Sequence, residues 1–156
     1  MGRRQCGQVL VLFAMLIPVL VLLFLFALGL AALEDTRAHG SYALGVATRA
    51  GAREIEYAGY GAGTSQFNAH IVATTKEVFR QGLLLRPAGL GDTPDHIAAY
   101  RTDVAIVPGT PDNCRPSPFF PYANHCRPTV AAQAQVPIQV WMFQVTVTIL
   151  SETEVR

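Results

Sequence analysis

Three cysteines, four histidines and eleven acidic residues are the groups that could carry covalent, metal or acid–base chemistry in this chain of 156 residues. Cys114 and Cys126 have eleven residues between them, in a stretch dense in proline. Two thiols so placed in an oxidising compartment pair as a disulfide. Closing a loop of that length stabilises by about 3 kcal/mol in the chain-entropy treatment. The competing chemistry is a metal site drawn from Cys114, His125, Cys126 and His96. Adjacent His125 and Cys126 make an awkward ligand pair, and the chain has no CxxC or HxxxH spacing. The expectation is therefore a Cys114–Cys126 disulfide, with no metal and no cofactor. His39, His70, His96 and His125 are isolated in sequence and read as surface residues. Cys6 falls on the other side of the apolar segment described below.

Catalysis has no motif behind it. The chain lacks GxSxG, HExxH, a Walker pattern and a GxGxxG after a strand. A triad could be drawn from Ser65, His70 and Asp92, but any chain of this length offers such a set. Asp92, Asp95 and Asp103 lack the fixed spacing of a calcium loop and read as solvated loop residues. The expected protein is not an enzyme. Its formal net charge is +1, without a basic stripe, which argues against a nucleic-acid partner.

The element that must position everything else is a run of 25 apolar residues, 9–33, preceded by Arg3 and Arg4 and followed by Glu34 and Asp35. At ~1.5 Å per residue it makes a helix of roughly 37 Å, enough to cross a ~30 Å hydrocarbon core. It is far longer than the h-region of a cleaved signal peptide, so a retained anchor is expected, although Ala27, Gly29, Ala31 and Ala32 are small enough for a peptidase. Basic residues on the short leading flank predict a cytoplasmic N-terminus. Pro18 inside the run predicts a kink.

Residues 34–57 are expected to continue as helix, and the glycines at 59, 61 and 63 to end it. Ala47 and Gly51 have small-xxx-small spacing and read as packing against the chain's own domain. Residues 67–85 read as a second helix from the recurrence of Phe67, Ile71, Val78, Phe79 and Leu83, with Thr64 or Ser65 as cap. Pro87, Gly89, Gly91 and Pro94 mark a loop. Residues 103–107 read as a strand, and the proline density of 108–128 excludes helix and central strand. Alternation over 129–138 and 144–150 predicts two half-buried antiparallel strands, with Trp141, Met142 and Phe143 in the link 137–143. The fold class is expected to be α+β: a transmembrane helix continuing into an extracytoplasmic helix, with a second helix packed on a small antiparallel sheet. The domains are then a basic cytoplasmic leader at 1–7, a transmembrane helix at 8–33 and an extracytoplasmic domain at 34–156.

The segment from Arg3 to Leu20, with Gly7 before the run and Ile17-Pro18-Val19 near its first third, resembles the start of bacterial TadE/TadG-like proteins of the tight-adherence (Flp) pilus machinery. The alanine- and glycine-rich stretch 47–54 and the paired alternating strands near the C-terminus are similar to that family as well. The resemblance leaves residues 58–128 uncovered. It implies a single-pass protein of the bacterial cell membrane whose partners are membrane lipid and other pilin-like or pilus-assembly subunits, with no small-molecule ligand. It implies prepilin-peptidase processing after Gly7, with Gln8 as the new N-terminus. Leu12 stands where a fibre-forming pilin carries glutamate, which suits the uncleaved, TadG-like form. The alternative is a signal-anchored extracytoplasmic binding module unrelated to pili, with Tyr100, Phe119, Phe120 and Tyr122 at its site. The plainer reading of Phe119, Phe120 and Tyr122 is packing of the proline-rich loop onto the domain.

Overall fold

A computed structural model of the chain describes residues 3–58 and 65–155. The protein is α+β, as the hydropathy patterning predicts. Helix α1 (Arg3–Ala58) runs unbroken for 56 residues, with Pro18 inside it. Leucine and alanine dominate its sequence, and both favour helix. The glycine turn expected at 59–63 and the Thr64 cap lie outside the described residues.

Helix α2 (Ser65–Leu84) lies antiparallel on the C-terminal half of α1. Small residues set the approach. A β-carbon at Gly82 would lie 2.8 Å from Ala43 Cβ, and the His39 ring nitrogen Nε2 is 3.1 Å from the Gly82 carbonyl. Gly51 faces Thr75, Ile71 and Val130, so its small-residue spacing serves packing within the domain.

Helix α3 (Pro94–Tyr100) replaces part of what the sequence suggests as loop. Thr93 caps it through its hydroxyl, Pro94 occupies its first turn, and Asp95 sits at the positive end of the dipole.

The main sheet has the order β1-β4-β5, all antiparallel, where β1 is Thr102–Pro108, β4 is Pro128–Val140 and β5 is Phe143–Glu154. Val104 opposes Ala132, which opposes Ser151, and Ala134 opposes Ile149. The expected strand pair is thus a three-stranded sheet. The link expected at 137–143 shrinks to a turn at Trp141 and Met142, because Pro137 to Val140 belong to β4. Proline is tolerated in this central strand because β1 pairing stops at Ala134. Beyond it, the Pro137 carbonyl accepts from Gly91 N–H at 2.8 Å.

One face of the sheet carries Val130, Ala132, Ala134, Val136 and Ile138 against α1 and α2, with Leu44, Phe79, Leu83, Ile97 and Ile149 filling the core. Thr48 of α1 lies 3.0 Å from Ser151 Oγ and 2.9 Å from Thr153 Oγ1, which satisfies its buried hydroxyl. Alternation predicts half-buried strands, yet Thr129, Ala131 and Pro137 on the opposite face of β4 are buried too. That face is covered in part by the proline-rich segment. Its own two-stranded ladder pairs β2 (Arg115–Pro116) with β3 (Asn124–His125).

Candidate functional site

The most unusual surface of the molecule is the N-terminal half of α1. From Leu12 to Leu28 its apolar side chains stand exposed around the helix, save the half-buried Leu25, with Leu23 60% and Phe24 64% accessible. Further along, the same helix buries one face, with Ala43, Leu44 and Ala47 buried. So large a bare apolar surface marks a contact with lipid or protein. Among the described residues, this is the one helix long and apolar enough to cross a membrane. Gly7 and Gln8 fall in its first turns, and Leu12 is exposed. Pro18 lies within the helix without ending it.

The two halves meet at a charged collar. Arg86, just past α2, pairs with Asp35 at 2.7 Å, and Arg37 approaches Glu34 at 4.0 Å. The tip of the β4–β5 hairpin lies on the apolar side of that collar. A β-carbon at Gly29 would be 3.1 Å from Val140 Cγ1 and 3.8 Å from Trp141 Nε1.

Cys114 and Cys126 are joined by a disulfide at the base of the β2–β3 ladder. The disulfide and a polar clasp hold the segment. Ser117 Oγ donates to Glu152, and it accepts from the backbone N–H groups of Phe119 at 3.2 Å and Phe120 at 3.1 Å. The buried His125 ring places Nε2 2.9 Å from Glu152 and Nδ1 3.2 Å from Glu154. The expectation that His125 is an isolated surface residue is thus corrected. Glu152 and Glu154, two apart on one face of β5, meet a histidine far from them in sequence, a pairing no spacing rule announces.

Tyr122 is 98% exposed, so it does not pack the loop onto the domain, whereas Phe119 and Phe120 are half-buried. Tyr100 is also exposed and lies 5.0 Å from the His96 ring.

Of the three acidic residues read as solvated loop, Asp92 and Asp95 are engaged, while Asp103 is exposed on β1. Asp92 accepts from Thr93 N–H at 2.8 Å and from Arg101 at 3.2 Å, and contacts His96 at 2.6 Å. The Thr93 N–H, followed by His96 and Arg101, holds its carboxyl below the usual carboxylate value against partial desolvation. Asp95 accepts from Arg80, whose guanidinium is raised above its ordinary value by its hydrogen bonds to Glu77 and Asp95. Of the triad candidates, His70 and Asp92 have other partners: the carboxylate beside His70 is Glu54, at 4.0 Å, while Asp92 belongs to the α3 cap. Among the described residues no group of three or more His, Cys, Asp or Glu is placed to hold a metal ion.

In comparison with protein families, with curated proteins and with solved structures, the chain matches none.

Proposed function

We propose that this chain is a membrane-anchored structural component of a tight-adherence (Flp) type pilus, or of a related secretion apparatus, of the TadE/TadG-like kind. Residues 8–33 cross the bacterial cell membrane with the N-terminus in the cytoplasm, and the α+β domain stands outside. It works by packing against other subunits, without turnover.

The observation that carries this reading is α1 itself. Its leading half is apolar and bare, its trailing half is the spine of a small domain, and the two are one helix. An element of that kind transmits position from the bilayer to an assembling subunit with no intervening joint. Leu12, exposed where a fibre-forming pilin needs a carboxylate, favours the uncleaved accessory form over insertion into the fibre.

The test is deletion of the gene in its native host, scored by surface pili. The expected result is loss of pili, restored by the full chain and not by residues 34–156 behind a cleavable signal. Unchanged pili in the deletion strain would refute the reading. The intact mass of the membrane-extracted protein separates its two forms: full length supports the accessory role, and a species starting at Gln8 supports a processed pseudopilin.

A further inference from the structure

The tip of the β4–β5 hairpin is built unlike a solvent turn. Its two-residue loop is Trp141-Met142, followed by Phe143. Met142 is 89% exposed and Phe143 70%. Trp141 has φ 58°, a left-handed conformation in the loop position where a two-residue hairpin normally uses glycine. A bulky aromatic kept there, largely facing outward, is a poor choice for folding alone.

Its position supplies the reason. The tip lies against Gly29, five residues before Glu34 and inside the apolar run. The run is roughly 37 Å long against a core of ~30 Å, so about 7 Å of it, some five residues, extends into the headgroup layer. Gly29 lies at that depth when the excess is at the domain end. Polar groups begin just behind the tip. Gln139 Nε2 donates to the Trp141 carbonyl at 2.8 Å, and Arg86 pairs with Asp35. At the same collar, past the end of α2, Leu85 is exposed. No charged residue occurs between Arg127 and Glu152, so the hairpin can enter the interface without desolvating an ion. Tryptophan, with an apolar body and one N–H donor, is the side chain that this layer favours.

We propose that Trp141, Met142 and Phe143 form a foot that seats in the outer interfacial layer of the lipid bilayer beside α1. The foot gives the domain a second point of attachment and fixes its rotation about the helix. The proposal rests on the membrane-anchor reading of residues 8–33, and the occupant it commits to is lipid, because the tip continues the apolar surface of α1.

Trp141 is the only tryptophan in the chain, so its emission reports on the tip alone. The full-length protein is reconstituted into phosphatidylcholine vesicles with and without lipids brominated at defined chain depths, and flotation is measured in parallel. The expected result is blue-shifted emission, poor quenching by iodide, and stronger loss of emission with bromine near the headgroup than with bromine near the bilayer centre. Met142→Asp, at a site too exposed to disturb folding, should return the emission toward that of tryptophan in water while flotation is retained. Floating protein whose Trp141 is open to iodide and indifferent to brominated lipid would overturn the foot while leaving the anchor standing. Blue-shifted emission indifferent to brominated lipid would place a protein surface, such as a second copy, over the tip and would also overturn it. Protein that does not float would remove the anchor and the foot together.

Discussion

Glu77 shows how an exposed residue can still tie two elements together. It accepts from Arg80 at 2.8 and 2.7 Å and from Gln81 at 2.9 Å, and Arg80 reaches across to Asp95 of α3 at 3.0 Å. The Arg80 hydrogen bond first, then that of Gln81, lowers the Glu77 carboxyl from 4.5 to about 2. A carboxyl lowered on folding stabilises above its unfolded value, and that contribution is lost as the pH falls toward the folded value. The gap in melting temperature between wild type and Glu77→Gln should therefore be present at neutral pH and shrink between pH 4.5 and about 2. It should be small and fall further with added salt, because exposed pairs are screened. Thermal melts followed by circular dichroism across pH check this, and a gap unchanged down to the acid end would exclude the linkage. The disulfide is the larger residue-scale contribution. Replacing Cys114 and Cys126 together by serine should cost about 3 kcal/mol from loop closure. Melts with and without reductant measure it, and an unchanged melt would mean that the Ser117–Glu152 bond and the His125 clasp suffice to hold the segment.

At the scale of elements, the glycines on the helices report how closely each surface approaches its neighbour. Gly45 on α1 has room: an added β-carbon would meet only Ser151 Oγ at 3.8 Å. Gly45→Ala should stabilise by about 0.5–1 kcal/mol through helix propensity. Gly82 on α2 has none, because Ala43 Cβ would be 2.8 Å away and cannot rotate aside. Overpacking there costs about 1–3 kcal/mol and outweighs the same propensity gain, so Gly82→Ala should be destabilising by about 1 kcal/mol. Melting both variants side by side tests the α1–α2 approach, and equal shifts of one sign would refute it. The apolar run makes α1 legible, and the recurrence of apolar residues at helical or two-residue spacing does the same for α2 and for the strands β4 and β5. Helix α3 is written in Thr93-Pro94-Asp95, a cap, a proline and an acid in order, but the neighbouring Pro87, Gly89 and Gly91 read as loop. The pairing of β1 with β4 is not legible, because strand order depends on contacts across the long proline-rich connection. The same holds for the site. Trp141, Met142 and Phe143 are recognisable as an apolar cluster at a turn, but nothing local says that the turn lies beside Gly29. His125 gives no sign of Glu152 and Glu154 for the same reason.

The whole molecule is asymmetric along α1, and that asymmetry carries its last prediction. Arg3 and Arg4 stand before the apolar run, and the short flank they occupy weighs most in setting orientation. At the other end, the domain contains a disulfide, which persists in oxidising compartments and is reduced in the cytosol. These two features are independent, one acting on insertion and the other on covalent chemistry afterwards, and under the proposed anchor reading both favour a domain on the outer side. Cys6 precedes the run, and Tyr57, near the end of α1, is 87% exposed. A Tyr57→Cys variant therefore puts one reporter thiol on each side. In spheroplasts, a membrane-impermeant maleimide should label the introduced thiol of that variant, and label Cys6 only after lysis. The unmodified chain, with Cys114 and Cys126 paired, should take up no label until the cells are broken. Labelling of Cys6 in intact spheroplasts, with the introduced thiol protected, would reverse the orientation and place the disulfide in a reducing compartment, where it would not persist. Equal labelling of both thiols before lysis would mean that α1 lies along the outer surface without crossing. In that case its bare apolar half would have to be covered by protein.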